Sequence, residues 1–174
     1  METLTKIHII GGPGSGKTYI ANKISKRLKV PKYELDHLFW DHDSEYFGSQ
    51  THPVKRQEKL ANILATENWV IEGVYYSWLE ESFNQADYIL VLKTNLYVRD
   101  WRIVRRFLFR KMKLVSSPRK ENLRTLRDLI KWNHSYDGNN LVEAIKLMKK
   151  HKDKVIILTK NDDVLKLFRK RKRK

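Results

Sequence analysis

The chain has 174 residues, 41% of them hydrophobic, which is enough to build one domain around a single core. It contains no cysteine, so disulfides, thiolate catalysis and Cys-ligated zinc are excluded, and any bound metal must use oxygen or imidazole ligands. The net charge of +16 is concentrated in two stretches: residues 99–131 carry +9 and residues 166–174 carry +7, which leaves the rest of the chain neutral.

In chain order, the apolar run at residues 6–10 predicts a first strand. It runs directly into GGPGSGKT at residues 11–18, a full match to G-x-x-x-x-G-K-[ST]. Residues 19–28 are compatible with a helix, which Val30-Pro31 ends because a residue before proline disfavours the helical region. Further strands are predicted at residues 32–35, 69–72, 88–92 and 154–158. Pro53 opens a helix with apolar positions at Val54, Leu60, Ile63 and Leu64. Residues 97–115 predict an amphipathic helix with Trp101, Val104 and Leu108 on one stripe and Arg99, Arg102, Arg106, Arg110 and Lys113 on another. After Ser116-Ser117-Pro118 the helical pattern resumes at residues 121–136. Asp137-Gly138-Asn139-Asn140 is a turn, and residues 141–150 are helical again. Short strands alternating with longer helices are the signature of an α/β domain with a parallel sheet. The expected organisation is one domain over residues 1–168, with an arginine-rich helical lid at about 99–136, and a basic tail over 169–174. No run of about 18 apolar residues and no charged-then-apolar leader is present, so the expectation is a cytoplasmic protein with no membrane partner.

The Gly-rich loop carries the chemistry. Its backbone N–H groups, from Gly11, Gly12, Gly14, Ser15 and Gly16 with Pro13 shaping the turn, would cradle phosphate oxygens at the entrance of the helix that continues through Tyr19. Lys17 would reach the β- and γ-phosphates of ATP, and the Thr18 hydroxyl would ligate Mg²⁺. Ligands of an open parallel sheet bind outside the carboxyl ends of its strands. Asp36 follows the second strand and is a candidate to position or deprotonate an acceptor hydroxyl; an ordinary helix N-cap is the competing reading. Glu72 closes the third strand and is the candidate acidic contact to the metal, with Asp87 a weaker rival because it starts its strand. Arg102 and Arg106 are the candidate catalytic cations over the transferring phosphoryl group, and Arg102 is also a candidate nucleotide contact; Arg119, Arg124 and Arg127 could fold over the site. His37, Phe39, Trp40, His42, Tyr46, Phe47, Tyr75, Tyr76 and Trp78 are core packing or the lining of an acceptor pocket, Trp40 foremost. The histidine spacing predicts no zinc site.

These motifs together resemble the adenylate-kinase-related phosphate-loop kinases, and within them the bacterial topology modulation proteins. The resemblance rests on GGPGSGKT, on Leu35-Asp36-His37-Leu38-Phe39-Trp40, on Trp69-Val70-Ile71-Glu72-Gly73, on Ala86-Asp87-Tyr88-Ile89 and on the run Arg102, Arg105, Arg106. It implies a three-layer P-loop NTPase fold with a five-stranded parallel sheet, an arginine-bearing lid, and a nucleotide base held by the loop after the last strand, at Thr159 and Asn161. The acidic-Gly-aromatic-Pro-Arg run of adenylate kinases stands here as Glu72-Gly73-Val74-Tyr75-Tyr76, so AMP is not carried over as acceptor. The expected function is a Mg²⁺-dependent kinase that transfers the γ-phosphoryl group of ATP to a nucleoside, nucleotide or related small-molecule metabolite. The alternative is a nucleotide-gated DNA-binding or topology-modulating protein, in which the basic segments bind nucleic acid without sequence preference.

Overall fold

The computed structural model describes residues 5–41, 48–112, 122–159 and Val164. In chain order the elements are β1 (Lys6–Gly11), α1 (Lys17–Leu28), β2 (Lys32–Glu34), α2 (Leu35–Phe39), α3 (Pro53–Leu64), β3 (Trp69–Gly73), α4 (Glu80–Gln85), β4 (Tyr88–Leu92), α5 (Leu96–Lys111), α6 (Leu123–Tyr136), α7 (Asn140–Leu147) and β5 (Val155–Leu158). A short 3-10 turn, Met148–His151, joins α7 to the last strand. The five strands form one sheet in the order β2-β3-β1-β4-β5, all parallel.

Strand period explains the three layers. Along β1, Ile7 and Ile9 enter one core with Ile20, Ala21 and Ile24 of α1, while Ile10 enters the other. The same alternation sends Val70, Leu90 and Leu92 to the α1 face and Trp69, Ile71, Ile89 and Val91 to the opposite face. There Leu60 of α3, Phe83 of α4, Tyr136 of α6 and Leu141 of α7 cover them. Parallel strands buried on both faces read as continuous apolar runs, which is why the strands were legible from composition alone. The result is the α/β three-layer P-loop fold expected from the sequence, with β1 at its centre.

Local chemistry sets the element ends. Lys29, in the left-handed region at φ 57°, closes α1, and Ser25 then ties off the turn by accepting from Val30 N–H and donating to the Val30 carbonyl at 2.6 Å. Asn122 opens α6 with a capping box: its side chain accepts from Thr125 N–H, and the Thr125 hydroxyl accepts from Asn122 N–H. β2 is one residue shorter than expected, because Leu35 turns into α2 and buries itself against Gly73.

The larger departure concerns α5. Trp101, Val104 and Leu108 were expected to form its buried stripe. Trp101 and Leu108 are instead exposed, and the buried side is Arg99, Ile103 and Phe107. The helix carries apolar side chains nearly all round, so periodicity alone left its rotation open. The rotation is settled by Arg99, which packs beneath the phosphate-binding loop.

Candidate functional site

The loop between β1 and α1 is held from several sides. Ser15 N–H donates to the Gly12 carbonyl at 3.2 Å, and the Thr94 hydroxyl, just past β4, donates to the Ser15 carbonyl at 3.0 Å. From α5, Arg102 Nη1 donates to the Gly14 and Ser15 carbonyls at 3.1 and 3.2 Å. Gly14 has φ 69°, and a Cβ there would come within 2.6 Å of the Arg99 carbonyl oxygen, so both conformation and space exclude a side chain. Gly16 precedes α1 and offers no side-chain cap, which leaves the first N–H groups of the helix to an anion.

Lys17 opens α1, and its ammonium donates to the Gly12 carbonyl at 3.0 Å. Burial lowers its pKa; Glu72 and Asp36 favour its charged form, while Arg106 and Arg99 oppose it. Two carboxylates and two guanidiniums from β3, α2 and α5 thus act on one ammonium at the carboxyl end of the sheet.

Thr18 Oγ1 donates to Glu72 Oε1 at 2.5 Å. Glu72 is 4% exposed, and burial raises its pKa, opposed by Lys17 and by the Thr18 hydrogen bond. Register places Glu72 beside Ile9 of β1 and Glu34 of β2, one residue short of the strand end. A hydroxyl and a carboxylate oxygen in contact beside a phosphate-binding loop suit a hard cation. Mg²⁺ uses one or two protein oxygens and completes its shell with phosphates and water, so the lack of any three-residue His/Cys/Asp/Glu cluster among the described residues is compatible with it. Asp87 lies at the opposite end of the sheet, where it accepts from Lys6 N–H at 2.8 Å and takes no part in this site.

Asp36 does not cap α2. Glu34 occupies the N-cap position, and the Asp36 carboxylate instead accepts from the Tyr75 hydroxyl at 2.9 Å on an exposed surface. Tyr75 stacks on Phe39 at 4.5 Å, Trp78 lies 5.8 Å from Tyr75, and Trp40 meets Phe39 edge-on at 5.0 Å. Trp40 also pairs through its backbone with Gln50. The Arg56 guanidinium of α3 lies over Phe39 at 5.1 Å and over Trp78 at 4.5 Å. The aromatic cluster thus holds an acid, Asp36, and a cation, Arg56, and Asp36 is within electrostatic reach of Lys17.

Other expected residues are on the surface or outside the described residues. Tyr19 is exposed, with the Lys23 ammonium over its ring at 4.3 Å. Thr159 follows β5 and is exposed, as are Arg124 and Arg127 on α6. Asn161, Arg119, Lys113, His42, Tyr46, Phe47 and the tail over 169–174 lie outside the described residues. Sequence reasoning missed Arg56, Thr94, Arg99 and Asp137. No motif marks them. The only available signal was the presence of an arginine, Arg99, so early in a helix that follows a buried strand.

No protein-family model matches the chain. Over 111 residues, 58% of its length, the chain is 28% identical to a cytidylate kinase of Pyrobaculum calidifontis, and it spans 59% of that protein. The structure superimposes on a shikimate kinase from Acinetobacter baumannii in complex with shikimate with a TM-score of 0.61, at 16% identity, over 99% of this chain and 97% of that one. An uncharacterized protein from Eubacterium ventriosum gives a TM-score of 0.57, at 16% identity, over 97% of each chain. The fold is the α/β three-layer P-loop NTPase fold with a five-stranded parallel sheet, as in that shikimate kinase. Among the described residues no helix is long and apolar enough to cross a membrane.

Proposed function

We propose that this chain is an ATP-dependent, Mg²⁺-requiring kinase that transfers the γ-phosphoryl group to an oxygen of a nucleoside, nucleotide or related metabolite. The observation that supports this best is the convergence of Asp36, Glu72 and Arg106 on Lys17 at the mouth of the phosphate-binding loop. Lys17 and N–H groups of the Gly-rich loop, other than Ser15 N–H and Pro13, which has none, hold the donor. Thr18 and Glu72 would hold a magnesium ion, which would supply neutralisation of phosphate charge. Asp36 accepts the proton of the acceptor hydroxyl as its oxygen bonds to the γ-phosphorus and the bond to ADP breaks. Arg106 stabilises the charge on the transferring group, and Arg102 keeps the loop carbonyls turned away from it. The acceptor sits against Phe39, Tyr75 and Trp78, with Arg56 available to an anionic substituent.

The test is acceptor-dependent ADP release across nucleosides, nucleotides and phosphorylated metabolites, with Lys17→Ala as control. Release that needs both an acceptor and Lys17 supports the reading. Equal release from Lys17→Ala sinks it.

A second reading, a nucleotide-gated DNA-binding or topology-modulating protein, draws on the exposed Arg105, Arg124 and Arg127 of α5 and α6. Removal of residues 169–174 followed by DNA retention at two salt concentrations separates the two. Retention that survives this deletion, depends on α5 and α6 arginines and changes with ATP favours the second.

A further inference from the structure

We infer that the ion pair between the buried Arg99 and the half-buried Asp137 is a positioning device for the phosphate-binding loop and sets its affinity for nucleotide. This rests on the reading of residues 11–18 as a nucleotide site.

Arg99 is 1% exposed, among the largest fully buried side chains of the protein. Its guanidinium meets Asp137 in a fork, Nη1 to Oδ1 at 3.0 Å and Nη2 to Oδ2 at 2.8 Å. The loop lies against it at two points. A Cβ on Gly12 would fall 2.1 Å from Arg99 Nη1, and one on Gly14 would fall 2.6 Å from the Arg99 carbonyl oxygen. The residue therefore runs beneath the loop, main chain under Gly14 and guanidinium under Gly12.

The far end of an arginine normally yields to a neighbour. Here both terminal nitrogens are committed to Asp137, so the guanidinium is a fixed planar floor. The neighbouring Tyr136 closes the other side: its Cδ1 is 3.0 Å from the position of a Gly12 Cβ, and its hydroxyl donates to the Val74 carbonyl at 3.1 Å, just after Glu72-Gly73. A second clasp holds the same helices together, with Asp100 accepting from Asn133 Nδ2 at 2.7 Å and lying 2.8 Å from His134 Nε2.

Fold stability alone is a poor reason for this arrangement. Arg99 is taken out of water to meet a carboxylate that stays partly solvated, and such a buried charge gains little over an apolar side chain of similar size. What an apolar pair would not supply is a rigid cation under Gly12 of an anion-binding loop, within electrostatic reach of Lys17.

The test compares the full chain with Arg99→Met, Asp137→Asn and the double variant Arg99→Met/Asp137→Asn. Thermal melts are recorded without nucleotide, and calorimetric affinity for Mg²⁺-ATP and Mg²⁺-ADP is measured well below each melting temperature. Both single variants are expected to melt earlier and to bind about tenfold or more weakly. The double variant, which leaves no unpaired buried charge, is expected to recover melting temperature over the singles while its affinity stays low. An affinity matching the parent in any of the three variants overturns the inference, because a merely structural pair would restore binding together with stability. A parent chain that binds neither nucleotide overturns both this inference and the kinase reading; a parent that binds while the variants bind equally well overturns this inference alone.

Discussion

The Thr18 hydroxyl and the Glu72 carboxylate, 54 residues apart, meet at 2.5 Å where α1 starts and β3 ends. Parallel pairing of β1 with β3 brings them together, since it sets Glu72 beside Ile9 just before the loop. Glu72→Gln keeps the shape and a hydrogen-bond acceptor but removes the charge. Magnesium affinity measured by titration in the presence of ATP is expected to fall roughly 10–100-fold. Burial raises the Glu72 pKa, while Lys17 and the Thr18 hydrogen bond oppose that rise; urea unfolding of the variant separates lost metal binding from a lost fold. An unchanged magnesium requirement would remove Glu72 from the metal site.

Asp36 accepts from Tyr75 at the edge of the aromatic cluster and touches no part of the donor loop in the bonds described. Asp36→Asn should therefore lower turnover by about 10²–10⁴-fold while leaving ATP affinity close to that of the parent. Steady-state kinetics alongside calorimetry distinguish this from a general loss of the site. Weakened ATP binding with intact turnover would contradict the role.

Arg102 and Arg106 sit one turn apart on α5, and the proposed mechanism gives them different roles. Arg102→Ala removes the contacts to the Gly14 and Ser15 carbonyls and should weaken nucleotide binding. Arg106→Ala should spare binding and lower kcat by about 10²–10³-fold, as loss of a transition-state cation does. Measured Kd and kcat for both variants check the division, and the reverse pattern would refute it.

His8 is fully buried in β1, 2.8 Å from the Ser82 hydroxyl and edge-on to Phe83, and burial lowers its pKa to about 3. The unfolded chain takes up this proton near pH 6.5, whereas the folded chain does so only near 3. Stability is therefore complete above the unfolded value and falls with pH between the two. From pH 7 to pH 5 the loss attributable to His8 is roughly 2 kcal/mol. Urea unfolding at the two pH values should show it, and His8→Gln should flatten that slope. An equal slope in the variant would assign the effect to other groups.

Much of the candidate site was legible because its pattern is local. The glycines, lysine and threonine of the loop stand in consecutive positions, Glu72 is an acid in an otherwise apolar strand, and Asp36 follows β2 by two residues. Arg56 was not legible, since its place over Phe39 and Trp78 depends on how α3 packs against α2, and the spacing along the chain carries no trace of that.

By itself, the sequence determined the strands, their parallel pairing as a class, and the anion-binding loop, because short buried runs and a Gly-rich turn are encoded within a few neighbouring residues. Tertiary structure alone decided the rotation of α5. With Trp101, Val104 and Leu108 on one side and Ile103 and Phe107 on another, either face could have been buried. The choice fell to Arg99, whose guanidinium finds its carboxylate at Asp137 and its cover at Gly12 only when the helix turns that way. Pairing between residues 38 positions apart leaves no periodic mark in the chain.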